Sequence, residues 1–283
     1  MTERTSALFL KFRQNPTASV GLSLVAVLIL IAILGPVIVP YPPTQFHPKH
    51  RFESPNRDFW FGTDQFGRDI FSRIVMGSQI SLTLGILSTL LGSLMGTVVG
   101  IFAGYTGGKT DEIGMRLMDA LMSFPGILLA LLILTALGSN LTNVILSISI
   151  VFTPRIARVA RSVTLAVKAE EYIQAAQARG DTTTYILFRE ILPNVIQPVL
   201  VEGTIRVGFA ILMGASISFL GMGAQPPTPD WGLMIGQARH HIFQSPWMIV
   251  WPSVAIALTV IGFNLLGDGI RDMLDPRLVK KQV

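Results

Sequence analysis

Glu202 and Arg206 stand four residues apart in an otherwise apolar run, the spacing at which two side chains meet on one face of a helix. At 1.5 Å per residue they lie roughly 9 to 15 Å into that run. Charge at such depth is costly unless it is paired or faces water. Two readings stand side by side: an internal structural pair, or part of the polar lining of a translocation path with Asn194, Gln197 and Asn264. Nucleophilic or acid–base chemistry finds less to use. His47, His50, His240 and His241 fall between the apolar runs, and none shares a run with a nucleophile. The adjacent His240 and His241 read as a solvated loop pair, so no metal site is expected, and no catalytic residue is assigned. Ala103 to Thr110 (AGYTGGKT) misses the phosphate-loop pattern only at Ala103. A phosphate loop follows a strand and opens a helix, whereas this stretch leaves an apolar helix and reads as a glycine-rich turn.

The other informative stretch is polar, Lys168 to Pro193. Ala169, Tyr172, Ile173 and Ala176 follow i, i+3, i+4, i+7 and predict one apolar stripe on a short helix. Gly180 ends that helix, and Asp181 is a plausible N-cap for a second one carrying Tyr185, Phe188 and Leu192, with Pro193 as its stop. Two short helices hinged at Gly180 make a docking surface, not a catalytic one.

The elements that position these residues follow from composition. The chain has 283 residues, 50% hydrophobic and 14% charged, with a mean hydropathy of +0.56, and cannot cover itself with polar surface in water. Charged residues are missing between Arg13 and Lys49, Arg73 and Lys109, Asp119 and Arg155, and Arg239 and Asp268. Each gap holds one or two spans of about 20 residues. Six spans are expected, near 19–39, 80–104, 117–137, 140–157, 196–222 and 247–267. The first reads as a retained anchor, being too long for a signal-peptide core. The fourth is short and runs into Pro154, Arg155 and Arg158, which leaves open an amphipathic core helix instead of a lipid-facing span.

Orientation supports six. With the N-terminus inside, Arg4, Lys11, Arg13, Lys109, Arg116, Arg155, Arg158, Arg161, Lys168, Arg179, Arg189, Arg271, Arg277, Lys280 and Lys281 all fall on the inner side. Only Lys49, Arg51, Arg57, Arg68, Arg73 and Arg239 fall outside, the bias that positive-inside insertion produces. The net charge of +5 is thereby explained without nucleic acid, since the cations lack aromatic interleaving. The chain has no cysteine, so disulfides and thiolate metal sites are excluded. Hydrophilic segments of about 40 residues are too short for an ATPase domain, so energy must come from another chain or an ion gradient. Small residues at Ser88, Gly92, Gly96, Gly100 and Gly104 line one face of the second span, either as a static packing seam or as a sliding contact. Pro125 and Pro252 should loosen the third and sixth spans locally.

The chain resembles the inner-membrane permease subunits of ATP-binding-cassette importers, specifically the second permease of the dipeptide, oligopeptide and nickel group. That family's loop reads Glu-Ala-Ala, three residues, Gly, nine residues, Ile-x-Leu-Pro; here stand Gln174, Ala175, Ala176, then Gly180, then Leu192 and Pro193. Gln174 replaces the glutamate and Glu190 the isoleucine, so the acidic role either passes to Glu170 or Glu171 or is not needed. Segments 62–82, 218–232 and 263–278 carry the likeness further. The resemblance implies an all-α type I (MetI-like) permease of six transmembrane helices. It divides into residues 1–79, a cytosolic tail, first span and outer loop, and 80–283, a five-helix core. Within the core, loop 168–193 would contact an ATPase through Glu170, Glu171, Gln174, Ala175, Ala176, Arg179, Gly180, Asp181 and Pro193. The same resemblance implies the partners: a second, homologous permease, two cytosolic ATPases that bind ATP and Mg, and an outer substrate-binding protein. No cofactor is then expected on this chain, and peptides are the expected cargo, with nickel chelates, glutathione or another small solute as alternatives. The contrasting reading is an ion-driven secondary transporter, but no clear internal repeat supports it.

Overall fold

The computed structural model describes residues 15–274. Arg4, Lys11, Arg13, Arg277, Lys280, Lys281 and the end of segment 263–278 lie outside them. Apart from one isolated bridge between Thr63 and Asp69, regular structure among the described residues is helical. The helices are α1 (Pro16–Ile38), α2 (Ile70–Thr106), α3 (Gly108–Met122), α4 (Gly126–Leu137), α5 (Leu141–Lys168), α6 (Glu171–Ala178), α7 (Thr183–Phe219), α8 (Trp231–Ala238) and α9 (Trp247–Leu274). Five of them, α1, α2, α5, α7 and α9, are long and apolar enough to cross a membrane, and α3 with α4 forms a sixth, broken candidate.

The span expected over 117–137 is therefore corrected: α3 and α4 meet at 93°. Ser123 closes α3 by donating its N–H to the Asp119 carbonyl at 3.0 Å, and Pro125, with no N–H and an extended ψ of 127°, opens α4. Twelve residues make α4 about 18 Å long, short of a hydrocarbon core of about 30 Å. The helix expected at 140–157 instead runs 28 residues, capped by Asn140, whose Oδ1 accepts the Asn143 N–H at 2.8 Å. It continues through Pro154 and is the most enclosed of the long helices, so it is both long enough to cross and largely shielded from lipid.

α2 starts ten residues earlier than expected, and the division drawn between residues 79 and 80 falls inside it. Its first turns carry Ser72, Arg73 and Ser78, which are buried under the preceding loop and α8. Asp69 caps the helix, its Oδ2 accepting the Ser72 N–H at 2.8 Å. Asp64 accepts Arg68 Nε at 2.6 Å and lies 3.9 Å from Arg73 Nε, while Arg73 Nη1 donates to the Pro43 carbonyl at 3.0 Å. Asp64 thus supplies one carboxylate to the two buried guanidiniums of Arg68 and Arg73, and the Pro43 carbonyl takes a further donor from Arg73. Phe61 stacks on Trp251 at 4.1 Å, and Trp231 Nε1 donates to the Ile74 carbonyl at 3.0 Å, seating loop 39–69 and α8 on one end of the bundle. The opposite end carries α6.

The long helices pack through glycines. A methyl added at Gly92 or Gly96 would meet the Ser149 carbonyl at 2.9 Å or Ile156 Cβ at 2.6 Å, both on α5. Gly100 and Gly104 continue this line against Ala157 to Thr164, and Ser149 Oγ donates to the Ser88 carbonyl at 3.0 Å. Gly21 and Gly269 bring the α1 and α9 backbones together in the same way, and α7 lies between α2 and α9.

Candidate coupling loop and charged groove

At the α6 end, the chain leaves α5 at Lys168, whose Nζ donates to the Tyr105 carbonyl at 2.6 Å and sits over the Tyr105 ring. α6 follows after Ala169 and Glu170. Of its expected apolar stripe, Ile173 and Ala176 are fully buried, in a cluster with Ile156, Ala160, Ile186, Ile191 and Val195, whereas Ala169 and Tyr172 are exposed. This corrects the role of Ala176, which anchors α6 to α5 and α7 and is not presented outward. Glu170, Glu171, Gln174, Ala175, Arg179 and Gly180 are exposed. Gln174 Nε2 donates to the Ala169 carbonyl at 3.1 Å, so the residue in place of the family's glutamate closes the turn into α6.

Gly180 does end the helix. Its φ of +82° is a left-handed conformation that favours glycine, and the Asp181 N–H reaches back to the Ala176 carbonyl at 3.1 Å while the Gly180 N–H reaches Gln177 at 3.0 Å, a Schellman closure. Asp181 is not the next N-cap. Its carboxylate holds Arg179 Nη2 at 2.8 Å, raising the already high pKa of that guanidinium, and Thr182 caps α7 instead, its Oγ1 accepting the Tyr185 N–H at 3.3 Å.

Pro193 is not a stop either. Residues Ile186–Ile191 form a π-helical stretch, with the Leu192 N–H bonded to the Leu187 carbonyl, and the wider turn passes the proline into one continuous helix. Asn194 Nδ2 donates to the Glu190 carbonyl at 2.7 Å and to Tyr172 Oη at 3.3 Å. Asn194 thereby ties α7 to α6 and does not join the charged group deeper in the helix.

That group is larger than the sequence pair. Glu202 Oε1 accepts Arg206 Nε at 2.9 Å and Nη2 at 2.7 Å, and Arg155 Nε of α5 at 3.1 Å. Arg206 also lies over the rings of Phe152 and Phe209. Glu202 and Gln197 line a groove with Arg155 and Arg271, while Asn264 on α9 is not among its lining residues. Arg155 was legible only as an inner cation, because its partner is a long-range one. Two further cations of that kind brace the broken span: Arg161 binds Asp111 through two 2.5 Å contacts, and Arg158 binds Asp119 at 2.5 Å.

Long apolar helices, a short exposed helix between two of them, and a charged groove beside that junction define a polytopic membrane transport subunit. Residues 96–280 match the family described as "Binding-protein-dependent transport system inner membrane component", and residues 6–55 match the "N-terminal TM domain of oligopeptide transport permease C". The chain belongs to this family and is a permease subunit of an ABC importer, a multi-pass protein of the inner membrane. It is 42% identical to a "Dipeptide transport system permease protein DppC" of Alkalihalophilus pseudofirmus, over 95% of this chain and 89% of the relative. It is 45% identical to a "Glutathione transport system permease protein GsiD" of Pectobacterium atrosepticum, over 94% and 88%. Its fold matches a chain of the inward-facing MetNI methionine ABC transporter with a TM-score of 0.59 at 20% identity, over 72% of this chain and 97% of that one.

Proposed function

We propose that the chain is one of two unlike permeases in an importer driven by two cytosolic ATPases, which bind ATP and Mg themselves, and supplied by an external binding protein. Both termini face the cytosol in this reading, and the chain itself binds no cofactor and hydrolyses nothing. Peptides are the cargo, a choice supported by the names of the dipeptide and glutathione relatives. Nickel chelates or another small solute are the alternative within the same machine.

The observation that carries the coupling role is the two-faced construction of α6. Ile173 and Ala176 bury one side in the bundle, and Tyr172 is tied to Asn194, contacts that join α6 to α5 and α7. Gln174, Ala175, Arg179 and Gly180 leave the other side open to a partner. ATP-driven closure of the ATPases would carry α6 as a body and shift α7, with Glu202 upon it, between inward and outward openings. Gly180→Pro, which cannot reach φ +82°, and Ala175→Trp, which blocks the open face, should both abolish ATP-dependent dipeptide uptake and its coupling to hydrolysis in reconstituted vesicles. Membrane insertion should be intact. Wild-type uptake by either variant would sink the coupling role.

A further inference from the structure

The groove between α5, α7 and the end of α9 encloses about 490 Å³, with Arg155, Val159, Gln197, Glu202 and Arg271 in its lining. Its charge does not balance. Arg155, Arg206 and Arg271 bring three positive charges to one carboxylate, Glu202, and a single oxygen of that carboxylate takes every contact from Arg155 and Arg206. The other acids of α9 do not make up the difference: among the described residues neither Asp268 nor Asp272 lies within ion-pair distance of an arginine, and neither lines the groove. Arg155 meets Glu202 through Nε alone and keeps 60% of its side chain exposed, so its two terminal nitrogens have no protein acceptor among the described residues. It stands about 20 Å from either end of α5, so its free nitrogens open onto the groove and not onto a helix terminus.

We propose that this groove seats an oxyanion, a carboxylate or phosphate held by Arg155 and Arg271 beside Gln197. A guanidinium fork presents two parallel N–H donors to such a group, which a lone ammonium would not, and the anion restores neutrality where the protein falls short. The shared chemistry has two sources. One is the phosphate of an anionic lipid entering from the α6 half of the bilayer, and the other is the free carboxylate of a transported peptide. The site itself rests on the groove's charge, and only the second source depends on peptide being the cargo.

The experiment uses the assembled transporter with a photo-crosslinking benzoylphenylalanine in place of Val159, in an otherwise wild-type background and with Arg155→Gln plus Arg271→Gln. Labelled phosphatidylglycerol, phosphatidylcholine, trialanine and trialanine amide are the probes. For a lipid occupant, phosphatidylglycerol is captured in preference to phosphatidylcholine, and capture falls about tenfold in the double variant, as loss of charge-assisted hydrogen bonds requires. For a transported occupant, trialanine is captured over its amide with the same fall, and this outcome alone fails if peptide is not the cargo. Equal capture of charged and uncharged probes, or capture indifferent to the two arginines, overturns the oxyanion site. Glutamine keeps both side chains polar but shorter, and co-purification of the ATPases checks that the double variant still assembles.

Discussion

Gly96→Ala is the sharpest perturbation of the packing. A methyl there would lie 2.6 Å from Ile156 Cβ, 2.7 Å from the Thr153 carbonyl and 2.9 Å from the Ala157 N, against the 3.4 Å at which ordinary contact begins. Two of the three obstacles are backbone atoms of α5, which no rotamer change can move. The helices must part by roughly 0.8 Å, and such overpacking costs about 1–3 kcal/mol. Alanine recovers up to about 1 kcal/mol as a better helix former. Because two of the obstacles are backbone, the cost falls in the upper part of that range, about 2–3 kcal/mol, and a net loss of about 1–2 kcal/mol remains. Gly104→Ala is the milder comparison, because its new methyl meets Thr164 Cβ and Cγ2 at 3.0 and 3.1 Å and the Arg161 carbonyl at 3.2 Å, each within a few tenths of an ångström of ordinary contact, and it should cost clearly less. Titration of the reconstituted complex with SDS, followed by loss of helicity, orders the two. Equal stability of Gly96→Ala and wild type, or a larger loss in Gly104→Ala, would refute the claim that α2 and α5 touch at this register.

Three further outcomes follow from charge and hydrogen bonding. Glu202→Gln leaves Arg206 and Arg155 without their common anion and should destabilise the chain by about 1–3 kcal/mol in the same titration, while Arg155→Gln, at the exposed end, should cost less. If Glu202→Gln also transports at the wild-type rate, Glu202 is no part of the path. Asp230 caps α8 by accepting the Leu233 N–H at 2.8 Å, and burial raises its pKa above 3.8 despite that bond. Its contribution to stability is therefore fully present below 3.8 and lost as pH rises through the raised folded value. Asp230→Asn keeps the cap oxygen and removes the charge, so the stability difference between variant and wild type should grow in the variant's favour as pH rises from about 4 towards neutrality; a pH-independent difference would contradict this.

The long helices were legible because charge-free gaps of membrane length leave the chain no other way to satisfy its backbone. Their limits were not. The start of α2 is hidden from hydropathy because Ser72, Arg73 and Ser78 are shielded by protein, and a shielded polar turn reads like a loop. Pro125 and Pro193 have the same local chemistry and opposite outcomes: one separates two helices at 93°, and the other is absorbed by a π-helical stretch. Proline says where the hydrogen-bond ladder is interrupted, but the neighbouring packing decides whether the axis turns. In loop 168–193 the Gly180 closure could be read from residue type, since a left-handed turn favours glycine. The apolar stripe already set Ala176 beside Ile173, against the family pattern that counts it among the partner contacts, and Ile186, Ile191 and Val195, which arrive after the turn, are what bury it. Arg155 escaped for a similar reason: sequence spacing pairs Glu202 with Arg206, and only the approach of α5 to α7 adds a second guanidinium.

These placements bear on how movement would cross the bundle. The Gly92, Gly96, Gly100 and Gly104 seam is set against carbonyls and Cβ atoms of α5 at every turn, so a shift along the axis by less than a full turn would drive α5 backbone into the bulkier residues between the glycines. That interdigitation argues for α2 and α5 moving as one body and against a sliding contact. The junction of α5 with α7 near Glu202 is of another kind, held by long side chains that can exchange partners without opening a void. If α6 delivers a push, the glycine seam transmits it and the arginine–glutamate junction is where the geometry can change, which is also where the groove opens.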